Sequence, residues 1–242
     1  MASADAGSSA PRPRVGRPPR INRQMIAEAA HELGLDGLTL RRVADHLGVS
    51  IAALYHHVSS KDDLMRLAAE LSASKVPLPQ DRGQHWAVWL YEWAAYNRDA
   101  FLAEPGLLAQ YLEGAISAEA IAGHVDAILG LLVRQGFSIL DANAAYEAVT
   151  ACALGTVVGT IREREAAEAG RTVLAAHRQV LDRARPGDLP YLRRLVDEVA
   201  EPSASSFHSR IATVLCGIAV RHGEDWPPIE RLVDAAARSD TV

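Results

Sequence analysis

The segment Gly37-Leu38-Thr39-Leu40-Arg41-Arg42-Val43-Ala44-Asp45-His46-Leu47-Gly48-Val49-Ser50-Ile51-Ala52-Ala53-Leu54-Tyr55-His56-His57-Val58 decides how the chain is read. Thr39 stands where a helix N-cap is wanted, and Leu40, Val43, Ala44 and Leu47 follow at the i, i+3, i+4, i+7 spacing of one apolar helical stripe. Gly48 closes that stripe, because glycine enters the left-handed conformation of a helix end without a Cβ penalty. Ser50 caps again after a turn of only Gly48 and Val49, and the spacing predicts a further helix over 50–58, just over two turns. Two short helices closed together in this way form a helix-turn-helix, whose second helix enters a DNA major groove.

Working outward, Ile26, Ala29, Ala30 and Leu33 predict a helix over 22–33 that stops at Gly34. On the other side, Ser60 with Asp63 makes a capping-box-like start to a linking helix that turns Leu64, Leu67, Ala68 and Leu71 inward and ends near 74. Within the motif, the four-residue spacing of Leu54 and Val58 sends both to the core and leaves Ile51, Ala52, Tyr55 and His56 on the exposed side. The small Ala52 and Ala53 allow a close approach to base edges, and Ile51 can touch a thymine methyl. Tyr55 is either a half-buried aromatic or a surface hydroxyl donor, and its OH needs a partner in both cases. Lys61 begins a helix whose free N–H groups also attract phosphate. Arg41 and Arg42 read either as solvated helix charges or as DNA contacts. His56 and His57 point about 100° apart on a helix and cannot chelate one ion, so no metal site is expected there.

The run Gly37 to Val58, continued by Lys61-Asp62-Asp63-Leu64, resembles the tetracycline repressor (TetR) family, and the match includes both helix starts, the turn glycine, the tyrosine and the lysine beyond it. The resemblance implies an all-α chain: a three-helix helix-turn-helix domain, a linking helix, and a C-terminal helical bundle that dimerises and binds a small molecule. It implies that the Tyr55 hydroxyl meets a phosphate and that Arg41 contacts base or backbone. The candidate DNA-binding residues are Thr39, Arg41, Arg42, Ser50, Ile51, Ala52, Ala53, Tyr55, His56, His57 and Lys61, joined by Arg17 and Arg20 from the segment Gly16-Arg17-Pro18-Pro19-Arg20. That segment suits either minor-groove insertion or a merely basic tail.

Charge is divided in the way such a chain needs. The net charge is −5, yet residues 12–61 carry eight Lys/Arg against four Asp/Glu, and residues 62–242 are net −8. Basic charge at one end supplies phosphate contacts while the acidic remainder resists wrapping by nucleic acid. Residues 1–20 lack periodicity and read as an arm; 21–74 form the DNA-binding domain, 84–222 the sensing and dimerisation domain, and 223–242 a tail. Helices are predicted over 84–101, 105–113, 117–135, 139–168, 189–200 and 203–222, with no alternating strand pattern. Phe207, Ile211, Val214, Leu215 and Ile218 share a stripe that fits either the chain's own core or a second subunit.

Trp89, Trp93, Tyr96, Asn97, Tyr111, His124, Tyr146 and Thr150 mix aromatic surface with polar anchors, as a ligand pocket between bundle helices requires. In the tetracycline-binding branch a histidine of the short second C-terminal helix ligates magnesium; Tyr111 stands nearest that position here, and this departure argues against a tetracycline–magnesium ligand. The inducer therefore stays unnamed, and no cofactor is expected. Cys152 and Cys216 sit in apolar helical patterns and read as buried thiols. No apolar leader follows the N-terminal basic residues, and the uncharged stretch 148–161 is shorter than the roughly 20 residues a bilayer needs, so a cytoplasmic chain with no membrane span is expected. No GxSxG, HExxH, P-loop or dinucleotide fingerprint favours an enzyme. Two functions stay in view: a repressor released from a palindromic operator by a small molecule, and a ligand-independent architectural DNA binder.

Overall fold

A computed structural model describes residues 21–198 and 205–239, and all its regular structure is helical. In the DNA-binding part, α1 (Arg23–Leu33) is capped by Asn22, whose Oδ1 accepts the Met25 N–H at 2.8 Å. Thr39 caps α2 (Leu40–Leu47) by accepting the Arg42 N–H at 3.2 Å, and Gly48 closes it at φ 66°, ψ 32°. Ser50 caps α3 (Ile51–Leu54) and Ser60 caps α4 (Lys61–Lys75). The helix expected over 50–58 is a single turn: residues 55–57 continue as a turn, and the N–H groups of His57 and Val58 both bond to Leu54 O, at 2.8 and 3.0 Å. The chain must leave the helix there to bury Val58 and still reach the Ser60 cap.

The bundle comprises α5 (Trp86–Ala103), α6 (Pro105–Leu112), α7 (Ala118–Arg134), α8 (Ile139–Glu168), α9 (Val173–Arg183), α10 (Pro190–Glu198), α11 (Ser205–His222) and α12 (Trp226–Ser239). Its core joins Trp86, Leu90 and Trp93 of α5 with Ile128 and Leu132 of α7, Val149 and Ala153 of α8, and Ile211 and Leu215 of α11. Two helices were not expected. One, α9, lies in a stretch left unassigned. The other, α12, occupies most of the expected tail 223–242, with Ile229 and Val233 buried against the bundle. Trp226, Ile229, Val233 and Ala236 carry a helical stripe, and prolines in the first turn cost no hydrogen bond, which is why this segment folds.

A second core gathers Ile26, Leu38, Val43, Leu54, Val58 and Leu64 of the DNA-binding helices and continues into Phe101, Leu107, Leu108 and Val157. Packing thus crosses the break expected at 74–84, where residues 76–85 are non-helical. On α11 the stripe divides: Phe207, Ile211 and Leu215 belong to the chain's own core, whereas Val214 and Ile218 flank an outward groove. Cys152 and Cys216 are half-buried free thiols rather than fully buried ones, because each sits at the edge of an outward face. By length and composition, α8 is the one described helix long and apolar enough to cross a membrane.

Candidate nucleic-acid interface and ligand cavity

Leu54 and Val58 anchor α3 at 0% and 1% exposure, and the opposite surface carries Ile51, Ala52, Tyr55 and His56. Tyr55 is 53% exposed, so its ring is not packed into the core and its hydroxyl is available outside. Ala53 and His57 are half-buried beside this surface, and Lys61 is exposed at the start of α4. The Thr39 and Ser50 hydroxyls serve as caps, which leaves each a proton to donate. The two arginines differ. Arg41 projects into solvent, 82% exposed, 4.0 Å from Asp45; Arg42 turns back and donates Nη1 to Asp36 O at 3.3 Å and Gly37 O at 3.0 Å, holding the α1–α2 turn. Arg17 and Arg20 lie outside the described residues.

Asp63 reads in the sequence only as part of the Ser60 cap; its pairing with Arg23 carries no local signal because the two are 40 residues apart. The Asp63 carboxylate accepts from Arg23 at 3.1 and 3.3 Å, Arg66 at 2.7 Å, and Ser59 N–H at 2.8 Å, while Arg23 also donates to His57 O. The network joins the starts of α1 and α4 to the turn that follows α3. The Arg23 hydrogen bond, then that from Ser59, hold the Asp63 carboxyl far below its ordinary range. A depressed native pKa gives stability that is present above the unfolded value near 4 and is lost as pH falls through that value toward the native one. Asp63→Asn is therefore expected to lower stability by about 1.5–3 kcal/mol at pH 7. Denaturant titrations should show that gap closing as pH falls below about 4; an equal gap at pH 7 and pH 3 would contradict the assignment.

A cavity opens between α5, α6, α7 and α8, walled by Trp93, Asn97, Tyr111, His124, Tyr146 and Thr150 together with apolar residues that include Ala73, Phe101, Leu107 and Ile121. Its volume is about 60 Å³, small beside the roughly 300–1,000 Å³ of ordinary small-molecule sites. Trp93 Nε1 donates to Thr150 Oγ1 at 3.2 Å, and Asn97 Nδ2 to Trp93 O at 2.8 Å. Burial pushes the Tyr146 phenol pKa up. Trp89 and Tyr96 are not among the walls. Trp89 stacks behind Trp93 at 6.2 Å and donates to Pro79 O, while Tyr96 faces an open groove with Pro77, Leu78 and Tyr91. Phe101, one turn beyond Asn97, was open to discovery by extending the i+4 series; the aliphatic walls carried no signal that separates them from core.

Residues 26–68 match the family described as bacterial regulatory proteins, tetR family. The chain is 31% identical over 179 residues to an HTH-type transcriptional regulator of Saccharopolyspora erythraea, covering 72% of this chain and 74% of that one. It is 32% identical to the tetracycline repressor protein class A from transposon 1721 of Escherichia coli, covering 79% and 85%. Among solved structures it is similar in fold to the Streptomyces coelicolor TetR family protein ActR in complex with actinorhodin, with a TM-score of 0.63, 20% identity, and coverage of 82% and 97%.

Proposed function

The chain belongs to the tetR family of bacterial regulatory proteins, and from that premise we propose a ligand-responsive transcriptional repressor that binds a two-fold operator as a homodimer and releases it when a small molecule enters the cavity. The observation that carries this reading is the sharing of α6 between two roles. Leu107 lies in the core of the DNA-binding helices and also walls the cavity, so occupation of the cavity bears on the helix-turn-helix. The tetracycline repressor among the relatives and the actinorhodin complex among the structural neighbours support a small-molecule effector of the same general kind.

The α3 surface, with Arg41 and Lys61 beside it, is the DNA-reading face, and Arg42 acts by positioning. Arg17 and Arg20 of the arm reach the minor groove in this reading. Trp93, Asn97, Tyr111, His124, Tyr146 and Thr150 hold the effector. Residues 1–20, 21–74 and 84–239 are arm, DNA-binding domain and sensing domain. Dimerisation uses the outward faces of α8 and α11, where Leu140, Ala144, Ala148, Ala151 and Gly155 of α8 and Thr213, Gly217 and Val220 of α11 are exposed. Small residues let helices approach closely, whereas a lipid-facing surface favours large apolar side chains; this face also carries the Arg221–Asp141 ion pair at 2.9 Å. A second copy, rather than a bilayer, is the partner of α8, in a cytoplasmic protein with no catalytic role or cofactor.

The test begins by selecting duplexes from a random library and measuring their affinity by fluorescence anisotropy. A preferred, near-palindromic duplex is expected, and removing residues 1–20 should flatten the dependence of log K on log salt, since each lost phosphate contact takes about 0.9 from the slope. No preference over random DNA would sink the reading. A panel of aromatic small molecules then follows: an inducer should quench tryptophan fluorescence and release the duplex over one concentration range. Tyr146→Ala should blunt both effects without altering ligand-free affinity. An undiminished response in that variant would remove the cavity from the mechanism.

A further inference from the structure

Two corners of the chain that are about 70 positions apart exchange carboxylate-to-backbone hydrogen bonds. Glu104, at the bend between α5 and α6, accepts the Leu35 N–H through Oε1 at 2.8 Å, and Asp36, in the α1–α2 turn, accepts the Gly106 N–H through Oδ1 at 3.0 Å. Asp36 satisfies an N–H that the first turn of α6 leaves without a helical partner, and Glu104 takes up the Leu35 N–H just past the end of α1. Asp36 also sets negative charge at the positive N-terminal end of α6. The fit is close: a Cβ on Gly106 would stand 2.9 Å from both Asp36 Oδ1 and Leu35 Cβ. The α1–α2 turn is held in turn by Arg42, whose guanidinium donates to Asp36 O and Gly37 O. An unbroken set of hydrogen bonds therefore joins the first turn of α6 to α2 of the helix-turn-helix.

The cavity-facing side of α6 gives this connection a role. Leu107 and Tyr111 wall a cavity of about 60 Å³, well short of the roughly 300 Å³ or more of a small-molecule site, so a drug-sized effector displaces a wall. At eight residues, α6 is the shortest helix among those walls. We infer that Asp36 and Glu104 are positioning residues through which α6 fixes the helix-turn-helix, and that displacement of α6 reaches α2 by this route. The inference rests on the repressor reading above and assigns that reading a specific pair of residues.

Linkage allows a test without a known effector, because whatever α6 does to operator affinity the operator must do to α6. Hydrogen exchange is followed on the full-length protein with and without the selected duplex. Operator binding is expected to slow exchange at Leu35 and across 104–111 by about fivefold or more, the lower end of ordinary coupling. Asp36→Ala and Glu104→Ala should each abolish that change on α6 while protection of α3 persists, and Asp36→Asn and Glu104→Gln, which keep an oxygen acceptor, should restore it. Gly106→Ala drives the corners apart and is expected to weaken operator binding about tenfold with no effector present, a difference of about 1.4 kcal/mol. If Gly106→Ala does not fold, the alanine and amide variants decide alone. Exchange on α6 that ignores the operator in the unmodified protein, or that responds equally in the alanine variants, overturns the inference; failure to find any preferred duplex counts against the repressor reading instead.

Discussion

Ala52→Glu is expected to cost at least a hundredfold in affinity for the selected duplex while leaving the fold intact. Ala52 is exposed in the first turn of α3, so a longer side chain meets no protein atoms, and a carboxylate near a helix N-terminus is favourable by roughly 0.3–1 kcal/mol. Thermal stability should therefore stay level or rise slightly. On DNA the same carboxylate stands among phosphates and fills the gap that an alanine leaves for base edges. Two like charges about 4 Å apart repel by about 4 kcal/mol at an effective dielectric near 20, enough to account for the two decades and about 2.7 kcal/mol expected. Anisotropy titration at fixed salt measures the loss. Affinity within threefold of the unmodified protein would show that DNA docks on some other surface.

Comparable in size is the effect of Ala148→Arg on assembly. Ala148 lies on the outward face of α8 and lines a groove with Ala144, Val214, Gly217 and Ile218, the hole that the proposed dimer assigns to Leu140 or Val220 of a second copy, which are 79% and 68% exposed in the single chain. Two-fold symmetry places two new guanidinium groups in one interface, where desolvating an unpaired charge costs several kcal/mol. Arginine is nearly as good a helix former as alanine, and the site is open in the protomer, so helix content should not change. Light scattering is expected to report 26.0 kDa in place of about twice that mass. Operator affinity should fall a hundredfold or more, because a single recognition helix reads only half a site. A variant that keeps double the mass and full affinity would move the dimer interface away from α8 and α11.

The groove filled by Ala148→Arg and the cavity blunted by Tyr146→Ala lie on different sides of α8, so the two variants separate assembly from sensing. Loss of effector response with a dimer intact points to the cavity. Loss of both DNA binding and the dimer points to the interface.

The sequence alone was enough to determine the helix-turn-helix. Caps at Thr39, Ser50 and Ser60, the left-handed Gly48 and the inward positions of Leu54 and Val58 all depend on neighbours within about four residues, which is the range over which a helix start or stripe is specified. The same locality fixed α8, whose expected span 139–168 is the observed one. What it could not fix is everything that depends on how helices are rotated and crossed against one another. Trp89, Trp93, Tyr96 and Asn97 looked alike on one helix, yet only Trp93 and Asn97 face the cavity, because α8 packs on that side of α5 and leaves Tyr96 on the other. Val58 ended α3 early only because Ser60 had to begin α4 against the same core. The Asp63–Arg23 network and the Asp36–Gly106 and Glu104–Leu35 hydrogen bonds join residues 40 to 70 positions apart, and their chemistry exists only once packing has brought those corners within 3.5 Å.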